Sequence, residues 1–108
     1  MPLTTSFKER VLQRANTDPE FVVAMLGEAM QALVAGETNI GTSLLRDCIN
    51  ATVGFSDLAE ATGIPDKSLQ RMFGKGGNPQ AINLFKVISA LLEHNNASLE
   101  VKAVNRAA

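Results

Sequence analysis

Tryptophan and tyrosine are absent from this chain, and cysteine and histidine each occur only once. A single Cys rules out an internal disulfide, and one Cys with one His leaves no ligand set for a zinc site. With only five Phe as aromatics, the core has to be built from Leu, Ile, Val, Met and Ala, a palette suited to helices packed on helices. The longest unbroken apolar run, Phe21 to Leu26, is too short to cross a bilayer. The opening stretch MPLTTSFKER lacks the apolar segment of a secretory signal, so an intracellular, cytoplasmic protein without a membrane partner is expected. Neither sign of charge dominates: 10 basic against 11 acidic residues give a net charge of −1, which does not by itself announce a nucleic-acid binder.

What the chain does contain is helical patterning. Its 108 residues, 45% of them apolar, suffice for one compact domain and not for two. Phe7, Val11, Leu12 and Ala15 have helical spacing over Phe7 to Asn16. Asp18-Pro19-Glu20 starts a second helix, with a capping side chain, Pro in the first turn and an acid at the positive dipole end. It carries Phe21, Met25, Ala29 and Leu33 to a stop at Gly36. A third helix begins near Thr38 or Asn39, buries Ile40, Leu44, Leu45, Cys48 and Ile49, and ends at Thr52-Val53-Gly54. Ser56 caps a short helix to Thr62, which Gly63 breaks, and another runs from Pro65 or Asp66 to Phe73. After the loop Gly74-Lys75-Gly76-Gly77, Asn78-Pro79 opens a longer helix burying Ile82, Phe85, Ile88 and Leu91 or Leu92. Leu99 to Ala103 then alternates apolar and polar, the period of a β-strand. A lone strand is unstable, so it is expected to pair with its copy in a second subunit.

The stretch Phe55 to Phe73 is the most informative. Two short helices joined by so few residues cross steeply. Such a crossing needs a small residue at the close approach, a residue tolerating a left-handed backbone in the turn, and apolar anchors. Ala59, Gly63, and Leu58, Ile64, Leu69 and Met72 meet these needs in register. An ordinary pair of packed helices would require the apolar match but not the Ala, Gly and Ile spacing. From Lys67 through Leu92 the basic residues Lys67, Arg71, Lys75 and Lys86 stand without a single acid, a local excess that suits phosphate contacts.

The segment from Gly54 to Gly63, then Ser68 to Phe73, Gly77-Asn78-Pro79 and Leu84 to Ile88, resembles the Cro/C1-type (XRE-like) helix-turn-helix regulators. Within them it is similar to the HigA-like antidote proteins of addiction modules. The likeness is carried by residues 52 to 92 and extends more loosely over the whole chain. It implies an all-α helix-turn-helix bundle, a lambda-repressor-like DNA-binding domain, to which the longer leading segment adds an N-terminal helical extension and the alternation after Leu99 a short C-terminal β-strand. Residues 1–51 would complete the core or offer a dimer or partner surface, 52–93 would bind DNA, and 97–108 would form the strand and tail. The implied function is a repressor that binds double-stranded DNA as a homodimer, with a toxin protein as partner where the gene is half of a toxin-antitoxin pair. Family members often carry Gln at the start of the motif helices; here Ser56 or Asp57 and Pro65 or Asp66 stand there.

In such a complex the second motif helix lies in the major groove with its N-terminal half at the base edges. The candidate DNA-binding residues are Asp66, Lys67, Ser68, Gln70, Arg71, Lys75 and Asn78. Arg71 suits guanine, Gln70 adenine, Lys67 base or phosphate, and Ser68 phosphate. The helix start at Asn78-Pro79, with Lys75 nearby, suits a phosphate clamp. No catalytic, metal or cofactor residues are expected, and no small-molecule substrate. Cys48 reads as a buried thiol, His94 as a helix-end residue, and Asp57 with Glu60 as solvated carboxylates. The glycine loop has no preceding strand and no Lys-Ser/Thr ending, so it is not a nucleotide cradle. The competing function is a helical protein-interaction module that keeps this fold without binding DNA.

Overall fold

The computed structural model describes residues 9–10 and 18–107. The helix expected over Phe7 to Asn16 lies outside these residues except for Glu9 and Arg10, which are helical. Helix α1, Pro19–Val34, has Asp18 at its N-cap, Pro in the first turn and Glu20 beside it. It buries Val22, Met25, Leu26, Ala29 and Ala32. The chain leaves it through two reversed hydrogen bonds, Glu37 N–H to the Ala32 carbonyl (2.9 Å) and Gly36 N–H to that of Leu33 (3.1 Å), the usual wrap at a helix C-terminus.

Helix α2, Thr38–Ala51, turns back onto α1 and forms with it the most extensive packing among the described helices. Gly41 is the point of closest approach. A Cβ placed there would meet Leu33 Cγ and Cδ2 at 2.6 Å and the Ala29 carbonyl oxygen at 3.2 Å. The glycine is therefore needed for space, at a cost of about 1 kcal/mol in helix propensity. Gly41, Leu45, Cys48 and Ile49 form the buried face. Ile40, expected in the core, is instead 50% exposed, because at 3.6 residues per turn it projects from the side of α2 opposite Leu45.

Three shorter elements complete the fold. Helix α3, Gly54–Thr62, begins before Ser56, so Ser56 lies within the helix and is not its cap. Helix α4, Asp66–Met72, follows a three-residue turn. Helix α5, Ala81–His94, starts at Ala81 with Gln80 as N-cap, later than Asn78-Pro79 had indicated. Its buried face is Val87, Ile88 and Leu91. Ile82 and Phe85, also expected in the core, are 73% and 59% exposed. The expected stripe advanced by three residues at each step. That spacing drifts round an α-helix until Ile82 and Leu91 lie on opposite sides.

Among the described helices the backbone of α1 approaches only α2, α2 also packs on α3 and α5, and α3 packs on α4 and α5. Leu45, Cys48, Ile49, Leu58, Leu69, Val87 and Leu91 are fully buried in one continuous cluster. The described residues are all helix, turn or coil. The expected strand over Leu99 to Val104 does not form, and residues 97–107 have no regular structure. The physical reason is that a strand needs another edge to complete its backbone hydrogen bonds, and a bundle of helices supplies none. Among the described residues no helix is long and apolar enough to cross a membrane.

Candidate nucleic-acid interface

Helices α3 and α4 are each held by one fully enclosed side chain, Leu58 and Leu69 respectively. Ile64, only 8% exposed, plugs the turn between them. The turn is fixed by its own polar groups. Gly63, at φ +76°, donates its N–H to the Ala59 carbonyl (2.9 Å). The Thr62 hydroxyl donates to the Leu58 carbonyl (2.8 Å) and accepts the Ile64 N–H (3.3 Å). Pro65 is extended at ψ 142°, and its carbonyl accepts the first helical bond of α4 from Leu69 N–H (3.0 Å).

This anchoring decides which way α4 faces. With Leu69 and Phe73 buried behind it, α4 presents Lys67, Gln70 and Arg71 to solvent. These share one face because they are spaced i, i+3 and i+4. Asp66 and Ser68 are half-buried. The Gln70 amide Nε2–H donates to Asp66 Oδ1 along the helix, so Asp66 holds the side chain of Gln70 rather than standing free at the surface.

Two polar grooves flank the glycine loop, one on each side. The first runs between α4 and the start of α5, whose backbones do not pack directly on each other. Its polar lining is Ser68, Arg71, Asn78, Gln80, Asn83 and Lys86. The first-turn N–H groups of α5, which have no intrahelical acceptor, thus belong to Ala81, Ile82 and Asn83 and not to the Asn78-Pro79 segment. The second groove lies between α2 and the loop, where Arg46, Asn39, Thr42 and Ser43 face Gly74, Lys75 and Gly76. Gly77 fixes the ridge between the grooves. A Cβ there would collide with the Met72 and Arg71 carbonyl oxygens, so the loop lies close against the end of α4.

Of the seven candidate residues, Ser68, Arg71 and Asn78 converge on the first groove, and Lys75 lies in the second. Lys67, Asp66 and Gln70 line neither groove and stand on the ridge of α4. Sequence reasoning missed Arg46, Gln80 and Asn83. Nothing in the sequence set the register of α2 against the glycine loop, or showed that the start of α5 borders a groove with α4. The polar face of α2, with Asn39, Thr42, Ser43 and Arg46 in helical spacing, was the available signal.

The arrangement offers cations, amides and hydroxyls on the face of α4 and in the two grooves beside the glycine loop. Cys48 is enclosed in the core, and burial, with the Asp47 carboxylate next to it, pushes its thiol up from 9.0 to about 12, keeping it protonated and unreactive. Among the described residues no three His, Cys, Asp or Glu side chains come together to hold a metal ion. Set against known proteins, the chain matches no family model, no curated protein and no solved structure.

Proposed function

We propose that this protein is a sequence-specific DNA-binding regulator of the Cro/C1 type, a cytoplasmic repressor acting as a dimer and serving as the antitoxin where its gene is paired with a toxin's. The observation that carries this reading is the face of α4. Lys67, Gln70 and Arg71 project together from a helix whose other side is buried, and the glycine loop that follows it is flanked by polar grooves holding Arg71 with Lys86 and Arg46 with Lys75. With α4 in the major groove, Arg71 reads guanine and Gln70 reads adenine. Arg46 and Lys75 then sit where the DNA backbone passes beside the groove.

Fluorescence anisotropy with a duplex from upstream of the protein's own gene tests this at several salt concentrations. The expected result is tight binding that falls with salt by about 0.9 in log K per log salt for each phosphate neutralised. Lys67→Ala/Gln70→Ala/Arg71→Ala abolishes preference over a scrambled duplex. Arg46→Ala or Lys75→Ala weakens all duplexes alike and reduces the salt slope by about 1. A folded protein that binds no duplex at low salt overturns the proposal. It would favour instead the interaction module without DNA binding, for which the exposed Ile82 and Phe85 speak.

A further inference from the structure

Helix α5 has a second face that the bundle leaves uncovered. Ile82, Phe85, Lys86, Ser89 and Glu93 are all exposed and follow one another at the i, i+3, i+4, i+7, i+11 spacing of a single helical stripe. Together with Ala61 and Thr62 at the end of α3 they line a shallow, largely apolar concavity. A Phe and an Ile side by side on the open face of a small protein call for an occupant.

The order of residues along this stripe identifies the occupant. Ser89, the small residue, lies near its middle, with Lys86 three residues before it and Glu93 four after. Lys86 and Glu93 stand on the same side of the stripe; Phe85 and the half-buried Leu92 stand on the other. A two-fold interface is self-complementary, each residue meeting the partner copy's equivalent of its own counterpart. We propose that two copies of this chain pair antiparallel along α5, with the two-fold axis passing at Ser89. Lys86 of each subunit then faces Glu93 of the other on one side of the seam, and Phe85 packs on the other copy's Leu92 on the opposite side. Ser89 against Ser89 lets the helices approach, and Ile82 closes each end. The seam carries two ion pairs and two apolar contacts from one stripe, with no like charges opposed. The proposal rests on the dimeric state of the reading above but not on DNA binding, and its test uses no DNA.

Sedimentation equilibrium of the intact protein across micromolar concentrations, with circular dichroism as a check of folding, decides the matter. The wild type is expected to be a dimer. Lys86→Glu alone, or Glu93→Lys alone, places like charges opposite each other twice and weakens dimerisation by at least about tenfold. The exchanged pair Lys86→Glu/Glu93→Lys restores it, a result that fold damage cannot produce. Phe85→Glu yields a folded monomer. A wild-type monomer overturns the proposal, whether the apolar stripe is then covered by the tail of its own chain or by another protein. A dimer indifferent to all these substitutions also overturns it, while leaving a dimeric DNA-binding regulator intact.

Discussion

The hairpin of α1 and α2 and the motif of α3 and α4 are built on different terms. The hairpin helices span 16 and 14 residues and bury five residues each, with one glycine letting the backbones close up. The motif helices span nine and seven residues and bury one each, Leu58 and Leu69. Helices this short do not hold their own shape in water, so α3 stays helical because it packs on α2 and α5, and α4 because it packs on α3 with Leu69 in the common core. The difference suits the proposed role of α4 in reading DNA. A helix pinned by one side chain keeps most of its circumference for a partner, and the hairpin supplies the stability that the motif lacks.

Substitutions of matched size in the two regions would break or sharpen this contrast. The largest effect is expected from Leu45→Ala in α2, which leaves a cavity at the centre of the cluster and lowers the free energy of unfolding by about 2–5 kcal/mol in urea denaturation. Leu69→Ala falls in the same range at most, but its damage is local: hydrogen exchange should speed up across α4 while the amides of α1 and α2 remain protected. Equal deprotection in both regions would erase the distinction. Next comes Gly41→Leu, which forces α1 and α2 apart against Leu33 and costs about 1–3 kcal/mol.

Cys48, on α2, contributes a pH dependence to the stability of the fold. Unfolding lets its thiol ionise near 9.0, whereas the native thiol stays protonated to about 12. Its contribution is complete below pH 9.0 and is lost as pH rises toward about 12. Stability measured across that range should fall less steeply in Cys48→Ala, and the native wild type should resist alkylation at pH 8 to 9. The smallest effect belongs to the motif. Gln70→Ala removes only an exposed bond to Asp66 and changes stability by about 0.2–0.5 kcal/mol, although the proposed function makes Gln70 a reader of bases. A large loss of stability there would mean that α4 depends on its surface as well as on Leu69.

Much of this organisation was legible in the residues themselves. Asp18-Pro19-Glu20, Gly36, Gly63 and the Leu58 to Leu69 spacing act through local backbone preferences and short-range periodicity, which operate whatever the rest of the chain does. The errors arose where several phases of one helix were apolar. In α5 both Ile82-Phe85 and Leu84-Val87-Ile88-Leu91 qualify as a buried stripe, and hydrophobicity alone could not choose between them. The strand period of Leu99 to Ala103 was real, but a strand takes its stability from a neighbour that a sequence does not show. Ile40 was placed in the core because it is apolar, although the phase set by Gly41, Leu45, Cys48 and Ile49 turns it outward.

The sequence by itself determined the helices, their approximate ends, the turn at Gly63 and the anchors of the motif, because each depends on residues only a few positions apart. The tertiary structure alone decided which face of α5 was left uncovered, that Arg46 stands across a groove from Lys75, and that the glycine loop is wedged against α4. Those features depend on how far apart the helices pack and at what rotation, and these are set jointly by the volumes of side chains distant in sequence that meet in one close-packed core.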